Sequence, residues 1–445
     1  MSPRIALRRL ARFEGWSAMR HRNYRLFFAG QGLSLIGTWM MTVAQSWLIL
    51  QLTGDPLLLG LVAAVQWLPV LVLGLFGGLI ADALPKRRTM VFTQGFAMLL
   101  SLTMAILVLT NLVQVWHVIA IAFLLGIRNS VDLPARQSFA VEMVGREDVG
   151  NAVALNSAMF NGARVIGPAI AGITIGAFGV GIAFLVDAVS YLAVIVALLS
   201  MRDADLHTRP GMERPATVRA ALGNLAEGIR YVRRTRAVVL SILTVGLVST
   251  FGMNFTVVIP PFVQEVLGGD ATAYGFLMAA TGVGSIFSAL SIAFSGRTMP
   301  LVIGVGGATL GLALVLLAST SSMPVALVAM FIAGLGSIAM AATANTLVQL
   351  TVPDQLRGRV MSVYTTVFAG STPFGGLFAG ALASGFGAAT AILAGGALSV
   401  ATGLAAAFTI RGRTIRARRA ATTVRGAGGE PIEVGPTGLS RVRPR

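Results

Sequence analysis

The sequence predicts an all-α integral membrane protein, with twelve transmembrane helices in two six-helix pseudo-repeats. Three observations lead there. Of 445 residues, 55% are hydrophobic and 11% charged, against roughly 25% charged in an ordinary soluble domain. Too few polar residues remain to coat a soluble particle of this size, and the same composition excludes a disordered chain. Apolar stretches near the ~20 residues that a spanning helix needs follow one another with short breaks. All but two of the 34 basic residues fall in the N-terminal segment, in alternate breaks and in the tail.

Taken in order, residues 1–23 are polar and basic and lack the apolar core of a signal peptide. They read as a cytoplasmic N-terminal segment. Spans 1 to 6 are expected at about 25–52, 57–81, 89–110, 116–135, 152–176 and 181–200, forming an N-terminal bundle over 24–200. Residues 201–236 form a cytoplasmic linker. Its first part, with Arg209, Pro210, Gly211 and Pro215, is irregular. Its second part carries Val218, Leu222, Leu225, Ile229 and Val232 at helical spacing, with Arg219, Glu227, Arg230 and Arg233 between them. That is an amphipathic helix, either lying in the membrane interface or packed on the bundle. Spans 7 to 12 are expected at about 237–261, 273–294, 300–318, 323–347, 358–383 and 388–410, forming a C-terminal bundle over 237–410. Residues 411–445 are a basic tail, expected to be disordered and cytoplasmic. The spans lack the period-2 alternation of barrel strands, and in lipid the remaining way to satisfy the backbone is the helix.

Charge placement fixes the orientation. The breaks 53–56, 111–115, 177–180, 262–272, 319–322 and 384–387 hold no basic residue. The other five breaks and both ends hold nearly all of them. This is the positive-inside rule, and it places both termini in the cytoplasm. The formal charge of +17 therefore reports topology and contact with anionic lipid headgroups, and no nucleic acid is expected as a partner. The halves also match weakly at an offset of 208 residues, which pairs Gly126 with Gly334 and Gly172 with Gly380.

Several chemistries are excluded. There is no cysteine for a disulfide, a Cys-based zinc site or a thiol nucleophile. The sole lysine, Lys86, follows Pro85, so no phosphate-binding P-loop exists. No hydrolase or nucleotide motif is present and there are three histidines. The chain is expected to be no enzyme and to hold no cofactor and no metal. Any work it does draws on a gradient.

The end of span 2 reads Gly77-Gly78-Leu79-Ile80-Ala81-Asp82-Ala83-Leu84-Pro85-Lys86-Arg87-Arg88. It resembles the signature of the major facilitator superfamily, built on Gly78, Asp82, Lys86, Arg87 and Arg88. Ala83 departs from it where a basic residue is usual, and Pro85 where a glycine is. The resemblance implies a gate in which Asp82 meets the start of span 11, near Gly358 to Met361. Further stretches resemble one branch, the transmembrane secretion effector group, which includes enterobactin-export and macrolide-efflux carriers. They are Tyr24-Arg25-Leu26-Phe27, Gln31, Ser34, Gly37, Thr53-Gly54, Gln66, Pro69, Pro134-Ala135-Arg136-Gln137, Arg146-Glu147-Asp148, Ala154-Leu155-Asn156-Ser157 and Arg357-Gly358-Arg359-Val360-Met361-Ser362. The likeness covers roughly 20 to 410. Span 5 carries Gly162, Gly167, Pro168 and Gly172, which are similar to the superfamily's antiporter element. Small residues there allow close helix packing.

Four ionisable residues fall inside spans: Arg128 and Asp132 in span 4, Arg164 in span 5 and Asp187 in span 6. Such residues usually face a cavity or each other. Asp132 is four residues from both Arg128 and Arg136, so a helix puts all three on one face. It reads as a structural pair. Asp187 has no basic residue at helical spacing, which makes it the better proton site unless Arg164 reaches across to it or the Arg128–Asp132 pair opens during transport; Asp187, Asp132, Arg128 and Arg164 are the proton-coupling candidates. In the fold implied by the resemblance, spans 1, 4, 7 and 10 line the cavity. Gln31, Trp39, Gln45, Arg128, Asn129, Asn254 and Asn345 then become candidate lining groups. Aromatic and amide groups in an apolar cavity suit a large amphipathic molecule.

The resemblance implies a secondary active transporter in a bacterial plasma membrane, exporting an amphipathic small molecule, drug-like or siderophore, by alternating access coupled to protons. Two alternatives stay open: a lipid or lysophospholipid flippase of the same fold, and a non-transporting membrane scaffold or sensor.

Overall fold

A computed structural model describes residues 14–207, 218–295 and 299–426. Among them, twelve helices are long and apolar enough to cross a membrane. Spans 1 to 6 are Arg22–Thr53, Pro56–Ala83, Lys86–Leu109, Val115–Val144, Val149–Phe178 and Val180–Leu199. A connecting helix, Val218–Arg234, follows. Span 7 is Arg236–Glu265. Spans 8 to 11 are Ala271–Ser295, Leu301–Ala318, Met323–Thr351 and Asp354–Phe386. Span 12 begins at Ala388 in a helix that continues to Gly426. The tail, expected to be disordered from residue 411, is thus helical as far as Gly426; residues 427–445 lie outside the described residues.

Several helices overrun the expected spans at the ends that carry basic residues. Lys86, Arg87 and Arg88 form the first turn of span 3, and Arg136 sits within span 4. The side chains there reach polar partners, so the helix does not stop where the apolar run stops. At the opposite end, free of basic residues, the breaks are tight. Gly54, at φ +64°, closes span 1, and the Asp55 carboxylate accepts the Leu57 N–H at 2.9 Å to cap span 2.

The repeat shows in the packing. Gly126 of span 4 leaves no room for a side chain against Gln66 and Pro69 of span 2. Gly334 of span 10 does the same against Thr281 and Ser285 of span 8. In each half, then, glycine lets span 4 or 10 meet the backbone of span 2 or 8. Large apolar side chains such as Phe92 and Phe294 stand 73% and 85% exposed, which suits a surface bathed in lipid.

One feature departs from the sequence reading. Span 7 is not continuous. Its first helix ends at Gly252, and a second begins at Phe255. The Asn254 side-chain amide donates to the Thr250 carbonyl at 2.7 Å across that break, and Gly375 of span 11 packs against it. The connecting helix packs on the bundle: Glu227 pairs with Arg359, Gly228 lies against the Arg359 carbonyl, and Val232 is buried. Ile229 stays 37% exposed, so part of the apolar face remains uncovered.

Candidate functional site: a cavity between the halves

The two halves meet along two seams, both lying toward the end without basic residues. Spans 5 and 8 touch where Gly172 faces Ala271, Thr272 and Gly275, and where Gly275 faces the Pro168 carbonyl. Thr272 donates to the Gly172 carbonyl across this seam at 3.3 Å. Spans 2 and 11 touch where Gly60 faces Gly376 and Gly380. Trp47 of span 1 stacks on Tyr274 of span 8, with centroids 6.2 Å apart and planes at 19°. Both rings are buried. Among the described residues no ion pair joins one bundle to the other.

Below these contacts lies a cavity of about 400 Å³. It extends toward Arg136 and the basic end. There Phe160 and Phe368, from facing halves, are 47% and 38% exposed. The cavity is closed at one end and open at the other.

Of the expected lining groups, Trp39, Gln45, Arg128 and Asn129 line it, as does Arg164. Gln31, Asn254 and Asn345 are not among its lining residues. Gln31 is buried in span 1, Asn254 braces the break in span 7, and Asn345 accepts from Gln349 along span 10. The expectation that spans 1, 4, 7 and 10 form the wall also needs correction. Span 10 contributes no lining residue, while spans 2, 5, 8 and 11 supply Trp67, Phe160, Met278 and Phe368. The reason is geometric: spans 2, 5, 8 and 11 form the seams, so their side chains beside the seams face the space between the halves.

The buried charges sort into three environments. Asp132 is fully buried and held from four sides. Thr93 and Gln94 donate to its Oδ1 at 2.7 and 2.9 Å, Arg128 lies 3.4 Å from the same oxygen, and Arg136 pairs with Oδ2. Arg128 also donates to the Thr93 carbonyl at 3.2 Å and to Asn129 at 2.9 Å. This is the structural cluster that the spacing in span 4 predicts.

Asp187 is equally buried but differently served. Its Oδ2 lies 2.7 Å from the Ser101 hydroxyl, and its Oδ1 has no partner. The Ser101 hydroxyl also lies 3.0 Å from the Phe184 carbonyl. A hydroxyl has one proton. If Ser101 gives it to Phe184, the short contact with Asp187 needs a proton on the carboxyl. One turn along span 6, the Tyr191 hydroxyl lies 3.4 Å from that of Thr38, which lines the cavity, and Arg128 sits over the Tyr191 ring at 6.0 Å.

Arg164 does not reach Asp187. Its guanidinium lies over the Trp39 ring, 5.7 Å from the centroid, and Phe160 meets the same ring edge-on at 5.7 Å. The two positive and two negative charges within the spans therefore do not cancel in pairs, as their number suggested.

The glycine motifs divide in the same way. Gly77, not Gly78, is where span 2 meets span 4, against the Ser130 carbonyl; Gly78 faces open space. The Asp82 side chain, and with it the expected contact near Gly358, lies outside the described residues. Lys86 pairs with Glu142 at 2.7 Å, and Arg87 with Asp203 at 2.5 Å and with the Leu198 and Leu199 carbonyls that end span 6. Arg88 is exposed. In the antiporter-like element, Gly167 and Gly172 are close-packing sites, while Gly162 faces open space.

A family model described as transmembrane secretion effector matches residues 13–425. The multidrug efflux pump Tap of Mycolicibacterium fortuitum is 28% identical over 397 residues, covering 87% of this chain and 94% of that protein. The staphyloferrin A transporter of Staphylococcus aureus is 24% identical over 268 residues, 60% of this chain and 66% of that one. Macrolide efflux protein A of Streptococcus pyogenes is 20% identical over 236 residues, 52% of this chain and 57% of that one. Among solved structures, a POT peptide transporter superposes with a TM-score of 0.70 at 13% identity, covering 88% of this chain and 94% of that one. The nucleoside transporter NupG gives 0.65 at 13%, covering 87% and 98%. The structures share the fold, and the family model spans nearly the whole chain. This multi-pass membrane protein belongs to the transmembrane secretion effector family of the major facilitator superfamily.

Proposed function

We propose that the protein is a proton-coupled exporter of amphipathic small molecules, working by alternating access in a bacterial plasma membrane with both termini in the cytoplasm. The observation that carries this reading is the cavity: walled by both halves, sealed toward the end without basic residues by glycine seams and the Trp47–Tyr274 stack, and extending toward Arg136 at the basic end. By the positive-inside rule the basic end is cytoplasmic, so cargo enters from the cell interior. Rocking the halves about the cavity would transfer the opening to the other side. The relatives named as efflux pumps support the direction.

Asp187 carries the proton in this reading. Its unpartnered oxygen and its place one turn from Tyr191 suit a group that gains and loses a proton as the cavity changes sides. Asp132, fixed by two arginines, holds span 4 in shape. The test is uptake of a fluorescent amphiphile into inverted vesicles with an imposed pH gradient. Gradient-dependent uptake that Asp187→Asn abolishes is the expected result. Uptake and substrate-driven proton release unchanged in Asp187→Asn would remove Asp187 from the mechanism. Lipid redistribution with no amphiphile uptake would replace export with flipping.

A further inference from the structure

The cavity wall has a sign. Arg128, Arg136 and Arg164 line it, and among the described residues no aspartate or glutamate does. One carboxylate, Asp132, stands behind the wall and is shared by Arg128 and Arg136. Three guanidinium groups thus stand against two buried carboxylates, Asp132 and, beyond Tyr191, Asp187, and the balance stays positive. An apolar cavity with that balance is hostile to a cation and attractive to an anion.

Arg164 is the guanidinium in that wall with no carboxylate partner among the described residues, whereas Arg128 and Arg136 share Asp132. Arg128 spends its N–H groups on Asp132, Asn129 and the Thr93 carbonyl. Arg164 has no hydrogen bond and no carboxylate partner among the described residues; its charge is met by the Trp39 ring alone. An aromatic ring engages the flat face of a guanidinium and leaves the five in-plane N–H donors unused. A half-buried arginine inside a membrane span with idle donors lacks what usually stabilises such a residue. A carboxylate is the ligand whose two oxygens match that planar fork. The site is also built. Gly167 clears the space in which Trp39 lies, Trp39 orients Arg164, and Phe160 braces the same ring.

We propose that the cargo is an anionic amphiphile whose carboxylate is held by Arg164, with its apolar body against Trp67, Met278 and Phe368. This rests on the export reading for its biological direction, but the binding itself does not depend on it. Arg164 lies over Trp39 and lines the cavity, and the carboxylate supplies the missing acceptors. The apolar residues bury the rest of the molecule. Neutral analogues lose the fork contact, and cationic ones meet like charge.

The test is direct binding, separate from transport. Purified full-length protein in phosphatidylcholine nanodiscs is titrated with three matched probes: 11-(dansylamino)undecanoate, its terminal amide, and the analogue ending in an amine. Empty nanodiscs correct for partition into lipid, and energy transfer from the tryptophans of the protein reports occupancy. The carboxylate should bind on the order of tenfold tighter than the amide, as one charge-assisted contact implies, with the amine weakest. Arg164→Gln should abolish the preference of carboxylate over amide, and Arg164→Lys should retain part of it. An amine that binds the wild type as tightly as the carboxylate overturns the proposal, and does so without any variant needing to fold. A carboxylate preference that persists in a folded Arg164→Gln overturns it as well. If the preference holds but no gradient-driven uptake is seen in vesicles, the export reading fails and the binding site stands.

Discussion

Gly167 of span 5 meets Trp39 of span 1 so closely that a methyl group at 167 would stand 2.5 Å from the Trp39 Cβ and 2.8 Å from the Ile36 carbonyl. Backbone lies on one side of that contact, so neither partner can simply rotate away. Gly167→Ala should destabilise the protein by about 1–3 kcal/mol, the usual cost of overpacking, and should displace the Trp39 ring from Arg164. Gly162→Ala, one turn and a residue earlier, meets nothing within 4 Å and should leave stability unchanged. Thermal unfolding in detergent, with amphiphile efflux measured in parallel, separates the two.

Asp132 and Asp187 should respond oppositely to the same change. Asp132→Asn removes the common partner of Arg128 and Arg136 and leaves two charges in a buried site. A loss of about 3–5 kcal/mol is expected, the range for breaking a buried pair. Asp187→Asn removes no ion pair, and an amide can still meet Ser101. It should fold near wild type and lose coupling. Comparing expression and melting temperature with proton release distinguishes a structural carboxylate from a working one.

The gate at the end without basic residues is testable by bulk. Gly60→Leu places a side chain where the Gly376 backbone now lies, and Trp47→Ala removes the ring stacked on Tyr274. Both should shift the population away from the form that is closed at that end. The chain has no cysteine, so a single Asn129→Cys reports access to the cavity without background. Labelling by a membrane-impermeant maleimide from the side without basic residues should rise at least severalfold in either variant.

Acid should weaken the tie between the N-terminal turn and span 5. The Asp148 carboxylate accepts from Ser17 and from His21, the latter at 2.8 Å, and these bonds hold it below its usual value of 3.8. A group lowered on folding stabilises the protein fully above its unfolded value and progressively less as pH falls through the folded one. The contribution is therefore present at neutral pH and lost below about pH 4. In Asp148→Asn the acid limb of the stability–pH profile should be shallower, with little change in its shape above pH 5.

Much of the fold was legible because the bilayer leaves little choice. A run such as 181–200 has nowhere to satisfy its backbone except in a helix, and the alternation of breaks with and without basic residues orders the runs. The repeat was legible through Gly126 and Gly334, whose backbone contacts turn out to correspond. The cavity was half legible. Trp39, Gln45 and Asn129 were found because polar or aromatic groups stand out on spans 1 and 4. Trp67, Phe160 and Phe368 were missed because an apolar side chain facing a cavity looks, in sequence, like one facing lipid. Gln31 and Asn345 stood out equally and have other work, since polarity marks a need for a partner and not its location. The break in span 7 had a signal, Gly252 and Asn254 ahead of Pro260-Pro261, that was read as uninterrupted helix.

The seams between the halves are made of backbone against backbone at glycine, with Thr272 to Gly172 bridging them and no salt link between bundles among the described residues. Parting them strands few polar groups. The barrier between the two access states is then one of repacking against lipid. Turnover should track bilayer thickness and lateral pressure closely while remaining almost indifferent to ionic strength.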